Sequence, residues 1–339
     1  MYKPDYSLTP AVLNNLNSVE RYYGQLESMQ IPKELELKLE RNNLLESTYV
    51  SNSIEGNPLS PHEVTNLLLG DRVPTNRDEK EVTNFFAILE GLEKDIDSPL
   101  SLSLVLDFHQ RLLNGVHEDA GSLRNEKVAV GRHVEDKGKP KFLIKHTPPF
   151  HQKGKIEKAL KELIAWEEGE KSLPAPLKAG IFHHHFVYIH PFEDGNGRVC
   201  RLLTTLIFLK NNYSINKYFI LDDYYDIDRN LYSDKLHTAD KGDKSEWLEY
   251  FTEGVMYSLQ SALARIKESY STLKVENRPT PKETEVVEVI KKRQEVTAPQ
   301  VAQDLGVSRQ QAHNLLSGLI KKGLIDKKGK TKSSYYFLK

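Results

Sequence analysis

Apolar positions recur at helical spacing over most of the chain, and strand-like patterning is confined to short stretches. From Pro32 to Ile54 helix formers run unbroken, with Leu37, Leu44, Leu45 and Ile54 among the apolar positions. Gly56, followed by Asn57-Pro58, stops that run. Ser60 and Glu63 then form a capping box ahead of Val64, Leu67 and Leu68. Further helices are predicted over about 78–95, 101–115, 153–168, 174–188, 196–211, 228–240 and 244–272. Between Lys127 and Thr147, Val128-Ala129-Val130 and Phe142-Leu143-Ile144 flank a polar, glycine-bearing middle, which predicts a hairpin with a long loop, closed by Pro148-Pro149.

The segment Glu276 to Pro281 reads as a linker. Beyond it the pattern is helix, helix, turn, helix and hairpin. Thr297 caps a helix with a proline in its first turn, and Gly306-Val307-Ser308 supplies a tight turn and a new cap. The following helix, Arg309 to Lys322, is expected to bury Ala312, Leu315, Leu316, Leu319 and Ile320. Gly323-Leu324-Ile325 and Tyr335-Tyr336-Phe337-Leu338 are the arms of the final hairpin.

With 339 residues, 38% hydrophobic and 28% charged, the chain has the make-up of two or three folded units. It has no apolar run of membrane-spanning length, and its first residues lack a signal-peptide pattern. The single cysteine, Cys200, excludes an internal disulfide and a multi-cysteine zinc site. A cytoplasmic protein without a membrane partner is therefore expected. Net charge is −1, but residues 281–339 hold twelve Lys/Arg against six Asp/Glu, so a basic tail follows an acidic body.

The densest chemistry lies in His190-Pro191-Phe192-Glu193-Asp194-Gly195-Asn196-Gly197-Arg198-Val199-Cys200-Arg201. Gly195-Asn196-Gly197 permits unusual backbone angles, so consecutive N–H groups can form an anion nest at the start of the next helix, where the dipole also favours phosphate. Arg198 and Arg201 are three apart, on one helical face, and their forks suit phosphate oxygens. Asp194 is placed to hold Mg²⁺ bridging phosphates. His190 is the one base here with an ordinary pKa near neutrality. The inventory is that of attack on a nucleotide phosphate.

This segment resembles the signature of the Fic (filamentation induced by cAMP) family, H-x-F-x-[D/E]-G-N-G-R-x-x-R, at every fixed position. His183 and Phe186 match its lead-in helix, and Gly121 with Arg124 its segment before a flap hairpin, so the resemblance spans roughly residues 35–270. It implies a mostly α fold: a Fic-type helical bundle with a β-hairpin flap (about 127–147), plus a C-terminal winged helix-turn-helix. The corresponding domains are 1–100, with an inhibitory helix at about 35–55, 101–275 for the catalytic core, and 281–339. The implied activity is AMPylation, transfer of AMP from ATP with Mg²⁺ to a Tyr, Thr or Ser hydroxyl of a target protein, including this chain itself. By the resemblance His190 is the base, Asp194 the metal ligand, and Gly195, Asn196, Gly197, Arg198 and Arg201 hold the phosphates. Tyr232 matches a position at the adenine, and Phe142, Leu143 and Ile144 lie on the flap that docks the target.

Ser51 and Glu55 fit [S/T]-x-x-x-E-[G/N], the inhibitory motif of many Fic proteins, in which Glu55 would pair with Arg201 and occupy the γ-phosphate fork. In some relatives the same glutamate assists removal of AMP, so a de-AMPylating enzyme is one alternative. A DNA-binding regulator with a nucleotide-sensing pocket is another. In a winged helix Arg309, Gln310, Gln311, His313 and Asn314 would face duplex DNA, although such modules also dock proteins or dimerise, and a homodimer stays open. His183-His184-His185 is expected to serve packing rather than a metal, since adjacent helical residues diverge by about 100°. Cys200 is expected to be a small buried thiol.

Overall fold

The computed structural model describes residues 2–70, 72–136, 139–276, 279–329 and 334–338. The chain divides into two units, Met1–Leu263 and Ala264–Lys339.

The first unit opens with α1 (Pro10–Ser28), α2 (Lys33–Ile54), α3 (Pro61–Leu69), α4 (Arg77–Gly91) and α5 (Leu102–Leu112). The antiparallel hairpin β1 (Val130–Asp136) and β2 (Lys139–His146) follows, with a register shift at Val130/Gly131. Next come α6 (Lys153–Gly169), α7 (Ala175–Ile189), α8 (Asn196–Lys210), α9 (Asp222–Ile227) and α10 (Arg229–Thr238), and α11 (Ser245–Glu276) begins in this unit. Helices α7 and α8 are buried around nearly their whole circumference, as a helix apolar on all sides must be. Phe182, Phe186, Phe192, Phe208, Trp247 and Phe251 form the centre of the core. The His190–Asn196 turn joins these two helices, so the motif sits at the end of a deeply buried pair.

Helix α1 was not among the helices expected. Its buried stripe, Val12, Val19, Tyr23 and Leu26, is diluted by Asn14, Asn15 and Asn17. Asn15 is itself a packing residue, donating to the Glu249 carbonyl and to Thr252 Oγ1 on α11. Helix α2 also differs from expectation. Leu37 is exposed, while Asn43, Ser47, Thr48, Ser51 and Asn52 are buried. A helix whose inward face is polar must find partners there, because an unpaired buried polar group costs about 1–3 kcal/mol. Asn43 donates to the Lys217 carbonyl and Ser47 to Asp222.

The second unit contains α12 (Pro281–Arg293), β3 (Glu295–Val296), α13 (Ala298–Leu305), α14 (Arg309–Lys321), β4 (Ile325–Lys328) and β5 (Tyr335–Leu338). Its sheet has the order β3-β5-β4, antiparallel throughout. The short β3 is an addition to the expected pattern. Val286, Ile290, Val296, Val301, Ala312, Leu316, Leu319, Ile325 and Tyr336 make its core. Leu315 packs partly against it, whereas Ile320 turns outward, one residue past the buried 312/316/319 stripe.

Three imidazoles in the first unit, His109, His183 and His185, are pushed by burial to pKa values of about 4, 3 and 3. These folded values lie below the unfolded one, so the stability they represent is complete above about pH 6.5 and is lost as pH falls below it. Both tryptophans, Trp166 and Trp247, belong to this unit and report on it alone. The fluorescence-detected melting temperature should fall steeply from pH 6.5 to 5, above the carboxylate range, as these three rings alone withdraw up to about 4 kcal/mol of stability per pH unit. A flat melting temperature over that window would contradict these buried, neutral rings.

Candidate functional site

Helix α7 ends on His190, which takes left-handed backbone angles (φ 49°) while its N–H still bonds the Phe186 carbonyl at 3.0 Å. A non-glycine residue in that region is strained and needs outside support. Arg124 gives it. This guanidinium, 3% exposed, donates to four backbone carbonyls: His190 and Phe150 at 2.6 Å, Glu126 at 2.6 Å and Ile189 at 3.2 Å. Its own N–H bonds the Pro191 carbonyl at 3.0 Å. The turn is closed from inside by Asn196, whose amide oxygen accepts from Phe192 N at 2.9 Å and whose Nδ2 donates to the Phe192 carbonyl at 2.8 Å. Gly195 (φ 77°) then caps α8, whose first amides have no helical acceptor.

The His190 Nδ1 is shut off from solvent. Burial, reinforced by His146 and Arg124, pushes its pKa down to about 4, against the near-neutral value expected for an unperturbed ring. Such an imidazole is neutral throughout the physiological range and carries a free lone pair.

The two arginines of the motif do not converge on one point. Arg198 is 2% exposed and bonds Glu81 at 2.7 Å and Asp194 at 3.3 Å. Arg77, also on α4, bonds the same two acids, Glu81 at 2.9 Å and Asp194 at 3.1 Å, closing a ring of four charges. Arg201 instead faces α2. Its Nε donates to Ser51 Oγ at 2.6 Å, and its Nη2 to the Ser51 carbonyl at 2.9 Å and Glu55 at 2.7 Å. Asp222 lies 3.7 Å from Nε. Burial alone would lower the Arg201 pKa, but Glu55, Tyr232 and Asp222 hold it above the ordinary value. Gly197 makes the Glu55 approach possible: a Cβ there would lie 2.2 Å from Glu55 Oε1.

Asp194 is about a third exposed on the open side of the turn, with Oδ1 accepting from Gly195 N at 2.6 Å. One accessible carboxylate beside the first amides of α8 is a donor type that fits a hydrated Mg²⁺, which takes few protein ligands. His109 steadies this segment from α5. It stacks on Phe192 at 3.7 Å, accepts from Gly121 N at 2.9 Å, and therefore donates from Nε2 to the Asp194 carbonyl at 3.2 Å.

The other sequence-selected residues lie at varied depths. Tyr232 is buried, stacked on Tyr225 at 4.4 Å and bonded to His183 at 2.8 Å. His183 and His184 are fully enclosed, and His185 stacks on Tyr2 at 3.9 Å. Cys200 is a buried thiol with its pKa pushed up by burial. Phe142, Leu143 and Ile144 are exposed on β2. Gly131 lets the two strands close, since a Cβ there would sit 2.2 Å from the Leu143 carbonyl oxygen. In the second unit Arg309, Gln310, Gln311, His313 and Asn314 are all exposed on the first turns of α14, with Gln311 completing a capping box on Ser308. Arg77, Glu81, His109 and Asp222 escaped the sequence reading. Only the i,i+4 spacing of Arg77 and Glu81 hinted at a pair, and such pairs are usually solvated.

The Fic/DOC family profile matches residues 99–208, the span from the approach to α5 through most of α8. Among curated proteins, "Protein adenylyltransferase fic-1" of Caenorhabditis elegans is 28% identical over 256 residues, covering 71% of this chain and 46% of that protein. "Protein adenylyltransferase Fic" of Aedes aegypti is 26% identical, covering 64% and 41%. The chain thus spans less than half the length of these relatives. A Fic family protein from Desulfovibrio desulfuricans G20 superposes with a TM-score of 0.68 at 25% identity, covering 100% of this chain and 98% of that one. The matched span carries the His190 turn, its Arg124 support and the flap hairpin on one continuous scaffold: residues 99–208 form a Fic/DOC family domain.

Proposed function

We propose that this chain is a protein adenylyltransferase that is held inactive by its own α2. The observation that carries the reading is a neutral, buried imidazole at the end of α7, beside a helix N-terminus whose Arg201 is already engaged by a carboxylate from another helix. The names of the curated relatives support it.

In the reaction, the target hydroxyl oxygen attacks the α-phosphorus of ATP, the bond to pyrophosphate breaks, and the hydroxyl proton passes to His190. A base is required because a tyrosine hydroxyl has a pKa of about 10 and is scarcely ionised at pH 7. The α8 amides from Gly195 to Gly197 receive phosphate oxygens, with Asn196 holding the turn in shape for them. Arg198 and Arg201 would take the β- and γ-phosphates once Glu81 and Glu55 release them. Asp194 would hold Mg²⁺, which neutralises phosphate charge. The exposed Phe142, Leu143 and Ile144 would present an edge to which an extended target segment adds as a strand. In the basal state Ser51 and Glu55 fill the Arg201 fork, so ATP lacks its γ-phosphate anchor.

For the second unit, we infer a winged helix-turn-helix that meets duplex DNA through α14. Three helices, a small antiparallel sheet and five exposed polar residues on the first turns of α14 support that reading.

Glu55→Gly should raise self-labelling from ATP and Mg²⁺ about ten- to a hundred-fold, the equivalent of a charge-assisted bond of ~1.5–3 kcal/mol. His190→Ala in that background should abolish the labelling, as read by intact-mass detection of an added adenylyl group. Equal labelling of the wild type and Glu55→Gly would refute inhibition by α2. For the second unit, gel-shift titration with duplex DNA should give affinity that falls with salt, and Arg309→Ala should reduce the salt slope by roughly one. Absence of a salt-dependent shift would leave protein docking as the role of α14.

A further inference from the structure

The root of the flap hairpin holds a cluster that the proposed transfer reaction does not use. His146, the last residue of β2, His237 on α10, and Asp240 in the turn after α10 bring their donor atoms within 4.8 Å of one another. We propose that these three residues form a binding site for a zinc-type divalent transition metal that fastens the flap to the core.

The argument rests on where the ring protons must be. His146 Nε2 lies 3.0 Å from the Tyr188 carbonyl, which can only accept, so Nε2 carries a proton. In the neutral ring Nδ1 is then a bare lone pair, yet it points at Asp240 Oδ2 from 2.7 Å. A lone pair facing a carboxylate oxygen is repulsive, so this contact calls for a cation between the two atoms, either a metal ion or a second ring proton. His237 Nδ1 addresses the same oxygen from 3.0 Å, and the two rings stack nearly parallel, 12° apart with centroids 5.2 Å apart. The other oxygen, Oδ1, accepts from His184 Nε2 at 3.0 Å. The carboxylate is thus oriented by a ring on α7, while its free oxygen converges with two imidazole nitrogens.

This is the arrangement in which metals are usually held. Two imidazoles and one carboxylate suit zinc and its neighbours, whereas Mg²⁺ and Ca²⁺ prefer oxygen alone. A ligating histidine typically donates its second nitrogen to a backbone carbonyl, as His146 does to Tyr188, and a ligating carboxylate is itself hydrogen-bonded, as Asp240 is to His184. A tetrahedral centre with bonds of ~2.0–2.1 Å places its ligands ~3.3 Å apart, so the 2.7 and 3.0 Å contacts to Asp240 would open by ~0.3–0.6 Å, within a group that already lies inside 4.8 Å. His146 is buried, but the His237 and Asp240 side chains keep 10% and 19% exposure, which leaves a path for the ion and a fourth position for water. Lys145, next to His146, makes an ion pair with Asp234 on α10, so the same two elements are joined twice. Metal occupancy would turn that junction into a rigid hinge post for the flap.

The test uses the full chain, stripped with chelator and titrated with Co²⁺ or Zn²⁺ alone. One equivalent of Co²⁺ should produce the visible bands of a four-coordinate site, be displaced by Zn²⁺, and raise the melting temperature to a plateau at one equivalent. His237→Ala and Asp240→Asn should abolish those bands. His184→Gln should weaken binding by about ten- to a hundred-fold, as loss of an orienting partner does. His117→Ala, in the exposed His117/Asp119/Glu193 group, and Asp194→Ala should each leave the equivalent intact. Unchanged Co²⁺ binding in folded His237→Ala would overturn the proposal. So would a wild-type protein that takes up no stoichiometric metal and whose nitrogen NMR spectrum shows His146 protonated on both nitrogens at neutral pH, with that extra proton replacing the metal.

Discussion

The arrangement of the site follows from one buried cation. Arg201, 4% exposed, leaves water on folding and must be matched by acceptors where it lands, because an uncompensated buried charge costs several kcal/mol. Its partners fall into two groups. Ser51 Oγ, the Ser51 carbonyl and Asp222 are all buried and fixed by packing. Glu55 keeps 29% of its side chain exposed at the very end of α2. The guanidinium therefore has permanent neighbours and one exchangeable one. An anion that replaces Glu55 does not strip Arg201 bare, so exchange costs far less than breaking an isolated buried pair. Under the proposed inhibition, release would then require only the Glu55 end of α2 to move away, with Ser51 left in place.

The same constraint explains why α2 is polar on its inner face. Asn43, Ser47 and Ser51 lie four residues apart on one stripe, and each meets a partner across the interface: the Lys217 carbonyl, Asp222 and Arg201. Asp222 links two of them, accepting from Ser47 while lying beside Arg201. Burial raises the Asp222 pKa, opposed by Arg201 and Ser47. Helix α2 is bound by matched polarity more than by apolar area. Such an interface is more easily exchanged for another polar occupant than a greasy one.

The dense motif could be read from the sequence because its chemistry is local: glycines, an asparagine, two arginines and a histidine within twelve residues specify a turn and a helix start by themselves. The hairpin and most helices were legible for the same reason, through local periodicity and caps. What stayed hidden depends on contacts far along the chain. Arg77 and Glu81 meet Asp194 and Arg198 across more than a hundred positions, and Arg124 reaches the carbonyls of 150, 189 and 190. Backbone acceptors leave no mark in a sequence. The polar inner face of α2 was not legible, because serine and asparagine on a helix ordinarily signify solvent. His190 was assigned an ordinary pKa because desolvation depends on what packs around a ring, which spacing does not disclose.

Acid–base and phosphate chemistry make opposite demands on neighbouring groups, and this fold meets both by burial. In the proposed transfer the base must be neutral and the phosphate forks charged at the same pH. Burial disfavours any charged form, and at His190, where His146 and Arg124 add to it and outweigh the opposing Glu55, the pKa falls to about 4. At Arg201 the same burial is overcome, because carboxylates stand within reach and the group is intrinsically far more basic. The outcome is thus set by intrinsic basicity and by immediate neighbours: Glu55 and Asp222 stand against Arg201, while burial, His146 and Arg124 act together on His190. A substitution that carried an acid to the His190 side would favour its protonated form and weaken the base. One that removed acids from the α8 side would leave a buried cation seeking an anion. In the proposed reaction a nucleotide triphosphate would satisfy that second condition.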